Sequence, residues 1–257
     1  MNILLVNDDG IHARGINVLA EHLQLLGNLW IVAPDRNRSG ASNSLSLERP
    51  VRIRQINNKR YSVAGTPTDC THIALTGLLD VKFDLVVSGI NDGSNLADDV
   101  LYSGTVAAAL EARLLGIPAI AVSLANWDTE EKEKRYFETA AIFISKLIEK
   151  IELDELEKFT LLNVNVPNIP YDRLNGVAAT RLGTRHRTEP TIKALDPRGS
   201  VIYWIGPPGA GQDIGPGTDF DAISNNKVSI TSINLDNTNH KDLKNLKSMV
   251  KSLKGSI

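Results

Sequence analysis

The chain has a single cysteine, Cys70, among 257 residues. No disulfide can form within it, and a reducing compartment is expected. Neither sign of charge dominates: the formal net charge is −2 and the sequence pI about 6.2. No global basic field is present to draw nucleic acid or an anionic membrane. No apolar run is long enough to span a bilayer. The run near the start, Ile3 to Val6, is far too short for a signal peptide. The five histidines are scattered, so no zinc signature emerges. No G-x-G-x-x-G follows the first apolar run, which argues against a dinucleotide oxidoreductase. No internal repeat is found. These absences leave a soluble cytoplasmic protein, and 42% hydrophobic residues supply an ordinary globular core.

What is present alternates. Ile3 to Val6 reads as a buried strand, Gly15 to Leu26 as an amphipathic helix, and Leu29 to Ala33 as a second strand stopped by Pro34. Strand, helix, strand is a βαβ unit, which implies a parallel sheet and a right-handed crossover. Thr66 and Pro67 read as the N-cap and first residue of a helix running to about Leu79. Asp84 to Ser88 and Pro118 to Ser123 read as strands around a helix over Thr105 to Leu115. A long helix is predicted over Glu130 to Ile151, then a strand over Leu161 to Val166. The expected fold is a doubly wound, mostly parallel α/β core over residues 1–170.

Beyond residue 170 the texture changes. Val177 to Thr180, Val201 to Ile205 and Val228 to Ile233 read as strands with no convincing helix between them. Asp196 to Gly199 reads as a tight turn joining two of these strands as a hairpin. Gly206 to Gly217 reads as a glycine-proline loop without packed structure, and Asp242 to Leu253 as an amphipathic helix. Residues 171–257 are therefore expected to form an accessory or oligomerisation region. A hairpin without a partner sheet is marginal in water, which favours arms exchanged between copies.

In a parallel sheet, ligands collect outside the carboxyl ends of the strands. Those ends carry Asn7-Asp8-Asp9-Gly10, then Asp35 to Gly40, then Ser88 to Asn95, with Tyr102-Ser103-Gly104-Thr105 at a helix start. Adjacent carboxylates repel unless a cation sits between them. A hard divalent ion, Mg²⁺ or Mn²⁺, suits the oxygens of Asp8, Asp9, Ser39 and Asn91. Ser103, Gly104 and Thr105 read as a phosphate site, with close backbone approach at Gly104 and free N–H groups at a helix N-terminus. Taken alone, Ser-Gly-Thr is more often a plain N-cap, and Ser39 a plain polar loop residue.

The ordered set of motifs resembles the SurE (survival protein E) family. It runs from Asn7-Asp8-Asp9-Gly10 through Ala33-Pro34-Asp35, Asn37-Arg38-Ser39-Gly40, Gly65-Thr66-Pro67, Ser88-Gly89-Ile90-Asn91 and Tyr102-Ser103-Gly104-Thr105. It continues to Asp196-Pro197-Arg198-Gly199, Gly217-Thr218-Asp219 and Val228-Ser229-Ile230-Thr231, and so spans nearly the whole chain. One departure is the Ser-Ile-Asn after Thr231, where a proline usually follows.

The resemblance implies a Rossmann-like fold and one divalent metal on Asp8, Asp9, Ser39 and Asn91. It implies phosphate contacts at Asn95, Ser103, Gly104 and Thr105. The implied activity is hydrolysis of nucleoside 5′- and 3′-monophosphates, with release of phosphate from short polyphosphate in some members. The implied assembly is a homodimer or homotetramer with exchanged C-terminal arms.

The expected reaction is in-line attack on phosphorus by metal-activated water, with Asp8 or Asp9 taking the proton. The acid for the leaving group is not identified; His12 is a candidate, though a lone loop histidine is more often surface. Arg36, Arg38, Arg181, Arg185 and Arg187 stay unassigned, and Trp127, Tyr203 and Trp204 can stack on a base or serve as core or interface. Two rivals are a catalytically inactive nucleotide or polyphosphate sensor and a signalling receiver. The receiver fails because Asn91 stands where a phosphoacceptor aspartate is needed.

Overall fold

In the computed structural model, which describes residues 1–125, 134–151, 161–234 and 236–253, one nine-stranded sheet organises the chain. Its order is β3 (Ile53–Asn57), β4 (Arg60–Val63), β2 (Asn28–Pro34), β1 (Asn2–Val6), β5 (Leu85–Asp92), β6 (Ala119–Ala125), β7 (Leu161–Pro167), β13 (Val228–Ile233) and β8 (Val177–Ala179). Every pair from β4 to β7 is parallel. β3 joins β4, and β13 joins β7, in antiparallel fashion.

The apolar run of β1 feeds both faces, because side chains alternate along a strand. Ile3 and Leu5 pack with Ile16, Leu19 and Leu23 of α1 (Arg14–Leu23) and with Phe137, Ile144 and Ile148 of α4 (Phe137–Lys150). Leu4 and Val6 pack on the other face with Cys70 of α2 (Pro67–Ile73) and Val106, Ala109 and Ala112 of α3 (Gly104–Leu114). Burial on both faces explains why β1, β5 and β6 read as unbroken apolar runs. α2 begins as expected: Thr66 Oγ1 accepts from Asp69 N at 3.0 Å, and Asp69 Oδ2 accepts from Thr66 N at 2.8 Å. This reciprocal capping box pairs with Pro67 at the first helical position.

Several expectations need correction. The helix from Pro67 gives way to a π-helical turn at Ala74–Leu78. The helix predicted from Glu130 begins at Phe137; residues 134–136 are not helical, and 130–133 lie outside the described residues. Trp127 lies outside them too. Residues 206–217 are not pure loop: β12 (Gly211–Asp213) pairs with β9 (Thr184–Arg185). A short helix, α5 (Asp219–Ser224), does lie between the late strands. The β3–β4 hairpin was not anticipated.

The final strand, expected within the accessory region, lies inside the main sheet beside β7. Outside that sheet stand the hairpin β10 (Ile192–Leu195) and β11 (Val201–Trp204) and α6 (Leu243–Leu253). The turn at Asp196 is where the sequence places it, but the strand before it is β10, which the sequence reading does not mark, while β8 joins β13 in the main sheet. Tyr203, Trp204 and Ile205 of this hairpin are exposed. Among the described residues, no helix is long and apolar enough to cross a membrane.

The close seat of α1 on the sheet depends on Gly15, where an added Cβ would stand 2.0 Å from the Ile90 carbonyl oxygen. Gly15→Ala is expected to lower stability by about 1–3 kcal/mol, as overpacking does. Urea denaturation checks this through a lower midpoint at an unchanged slope.

Candidate active site

β1 lies between β2 and β5, where successive crossovers leave in opposite directions along the sheet. Such a switch point opens a crevice at the carboxyl ends of the strands. Asn7 shapes the loop there: Nδ2 donates to Gly10 O at 2.9 Å, and Oδ1 accepts from Gly10 N at 3.2 Å. Asp8 and Asp9 are held between these two anchors.

Asp8 is buried, and its Oδ1 accepts the Thr105 hydroxyl at 2.5 Å. Its carbonyl oxygen accepts from Arg38 N at 2.8 Å, which fastens the loop after β2. Asp9 is half-buried. Its Oδ2 accepts from Asp92 N at 3.1 Å and its Oδ1 from Asn37 Nδ2 at 3.4 Å. Asn37 Oδ1 accepts in turn from Ser39 N at 2.8 Å. Asn91 Nδ2 donates to Gly93 O at 2.9 Å, so its amide oxygen is the atom that could hold a metal ion. The loops bearing Asp8, Asp9, Ser39 and Asn91 are thus tied to one another at one sheet edge.

Motif reading missed Asn37 as the link between Asp9 and Ser39. The available signal was its place two residues before Ser39, the spacing of an Asx turn. The rest of that loop is anchored by Asp69, which accepts from Ser46 N at 2.8 Å and Ser46 Oγ at 2.7 Å.

α3 points its N-terminus at the same edge. Ser103 Oγ caps it by accepting from Val106 N at 3.1 Å. The first intrahelical backbone bond runs from Ala107 N to Ser103 O, so the amides of Gly104 and Thr105 stand ahead of it. Gly104 is the residue that lets the helix come this close. A Cβ there would meet Asp8 Cβ at 2.8 Å, Asp8 Oδ2 at 3.0 Å and Pro67 Cγ at 3.0 Å.

The Thr105 hydroxyl, expected on phosphate, is spent on Asp8. Asn95 is buried, and its amide nitrogen donates to Ser123 Oγ at 2.7 Å. His12 is exposed on the loop beyond Gly10.

Burial dominates the electrostatics. It pushes the Asp8 carboxyl up from 3.8 to about 6; the Thr105 hydrogen bond pulls down and the neighbouring Asp9 charge pushes up. Burial also raises Asp9, opposed by the Asp92 amide and assisted by the Asp92 charge. A pair of carboxylates held above their ordinary range fits a hard divalent cation. Among the described residues, no group of three or more His, Cys, Asp and Glu is placed to hold a metal ion. The donor set here is two carboxylates with neutral hydroxyl and amide oxygens, which suits Mg²⁺ or Mn²⁺ rather than zinc.

Comparison with known proteins identifies the family. The family model for Survival protein SurE matches residues 3–189. A protein of Legionella pneumophila (strain Paris) named 5′-nucleotidase SurE is 54% identical over 98% of each chain. One of the same name from Coxiella burnetii (strain Dugway 5J108-111) is 54% identical over 98% of this chain and 96% of its own. The crystal structure of the SurE protein from Aquifex aeolicus is 42% identical, covers 97% of this chain and 100% of its own, and superposes with a TM-score of 0.83.

The raised Asp8 carboxyl has a consequence for stability. Its folded value lies above its unfolded one, so its contribution is present below pH 3.8 and is lost as pH rises through about 6. The ionised group then costs on the order of 3 kcal/mol in metal-free protein. Asp8→Asn, which still accepts from Thr105, is expected to be more stable than the parent at pH 8 in chelator. The gap should close toward pH 4. Urea denaturation of both proteins at the two pH values checks it.

Proposed function

The chain belongs to the SurE family, and we propose that it is a divalent-metal-dependent 5′-nucleotidase whose chemistry is done at the Asp8–Asp9 edge. The observation that carries this reading is the buried Asp8 carboxylate beside Asp9, facing the N-terminus of α3 across Gly104. The substrates are nucleoside 5′-monophosphates, with 3′-monophosphates and short polyphosphate as further phosphoryl donors. The relatives named 5′-nucleotidase SurE support the first of these.

Asp8, Asp9, Ser39 and Asn91 would hold one Mg²⁺ or Mn²⁺ ion. When bound, the ion supplies charge to the phosphoryl group and acidifies water. The chain's own residues do the rest. The Gly104 amide and the helix dipole bind the phosphate and stabilise charge on its equatorial oxygens, while the Thr105 amide, like its hydroxyl, serves Asp8. The Asp8–Asp9 pair receives the proton of the attacking water, and the Thr105 hydroxyl keeps Asp8 turned toward the site.

Two settings complete the reading. The lone, buried Cys70 supports a cytoplasmic location. The exposed apolar side chains of β10–β11 and of α6, including Leu246 and Met249, support a dimer or tetramer built through C-terminal arms.

Phosphate release from AMP tests the proposal. Chelation is expected to abolish it, Mg²⁺ or Mn²⁺ to restore it, and Asp8→Asn to lower it at least about a thousandfold. A wild type that binds nucleotide with metal yet releases nothing from AMP, other nucleotides or polyphosphate would establish the sensor reading instead.

A further inference from the structure

The turn of 3-10 helix Ala97–Leu101 leads directly into the phosphate-binding turn. Tyr102 N and Ser103 N both donate to Asp99 O, at 3.0 and 3.1 Å. The backbone of Asp99 therefore sets where Ser103, Gly104 and Thr105 begin. Its carboxylate is gripped from the far end of the sequence. Arg185 Nε donates to Oδ1 at 2.8 Å and Nη2 to Oδ2 at 2.6 Å, a two-pronged pair. The two side chains are 17% and 20% exposed. Arg185 is itself braced: Nη1 donates to Gly209 O at 3.1 Å, and the guanidinium lies over the Phe220 ring at 5.1 Å.

Two further ties run in parallel. Arg185 N donates to Asp98 Oδ2 at 2.8 Å. The fully buried Asp219 accepts from Ala97 N at 2.7 Å and from Gly183 N at 2.9 Å. The segment ahead of the phosphate turn is thus fastened three times to the C-terminal third of the chain.

The geometry points to Arg185 as a positioning residue for phosphate, acting through Asp99. This deepens the phosphatase reading and rests on it. Arg185 touches none of Asp8, Asp9, Ser39 or Asn91 through any hydrogen bond described above. Its reach is to the turn whose Gly104 amide meets the phosphate. A planar fork fixes both oxygens of Asp99 and so fixes the direction of the carboxylate; a lysine supplies charge without that direction. Both side chains are partly buried, so removing one partner leaves the other with an incomplete set of hydrogen bonds. Arg185 also lies where the β10–β11 hairpin departs and, through Gly209, where it returns. The root of the arm is therefore part of the phosphate-binding device.

Arg185→Lys and Asp99→Asn, each in the full-length protein with Mg²⁺ bound, test the inference. Calorimetry with inorganic phosphate gives its Kd, calorimetry with Mg²⁺ gives metal affinity, and AMP hydrolysis gives KM and kcat. Both variants are expected to raise the phosphate Kd and the KM for AMP together, by roughly tenfold or more, with metal affinity unchanged. An unchanged phosphate Kd and KM with a lowered Tm would show a mere strut and overturn the inference. Equal losses of metal and phosphate affinity would show collapse of the whole site and overturn it too. A wild type that binds Mg²⁺ but neither binds phosphate nor hydrolyses AMP would overturn the phosphatase reading beneath it.

Discussion

A carboxylate buried at the end of the central strand, with one hydroxyl donor and a second carboxylate beside it, is an unstable arrangement in a folded protein. Asp8 is 3% exposed. Burial alone drives it toward the protonated form, and Asp9 pushes the same way. Much of the surrounding structure serves to keep this pair where solvation would not. Asn7 locks the loop, Arg38 N holds the Asp8 carbonyl, and Asp92 N holds Asp9. Gly104 removes the one Cβ that would force α3 away. Such strain between local stability and arrangement is common where a site must bind something the free chain lacks.

The sheet topology explains why these pieces meet. β1 lies at the switch point, so the loops after β1, β2 and β5 open on one edge, and α3 aims its N-terminus there. The C-terminal third reaches the same edge by another route. β13 extends the main sheet, while Arg185 and Asp219 clasp the segment before Ser103. The proposed catalytic edge and the C-terminal region are therefore mechanically joined, although the clasped residues lie 86 and 122 positions apart in sequence.

Much of this was legible in the sequence, for identifiable reasons. β1, β5 and β6 are buried on both faces, and their apolar runs record that. Thr66-Pro67 carried its own capping chemistry. The oxygens of Asp8, Asp9, Ser39 and Asn91 stood out because strand ends gather polar residues for ligands. What escaped had no local signal. β3 is exposed along its whole length, so no buried alternation marks it. β12 is three residues whose only cause is pairing with β9. α5 is too short for periodicity; its signal was the Thr218 cap with Asp221 three residues on, N-terminal grammar without a long helix behind it. The attachments of Thr105 to Asp8 and Arg185 to Asp99 span long sequence separations, and only the folded chain reveals them.

The proposed function requires Asp8 and Asp9 to stand together because a divalent cation belongs between them and the oxygens of Ser39 and Asn91. Crystals grown with Mn²⁺ and measured for anomalous scattering near its absorption edge test that directly. One strong peak bonded to Asp8 and Asp9, with Ser39 and Asn91 oxygens in its coordination shell, is the expected result. An ordered Asp8–Asp9 loop with no peak there at saturating Mn²⁺, or a peak held by other residues, would contradict it.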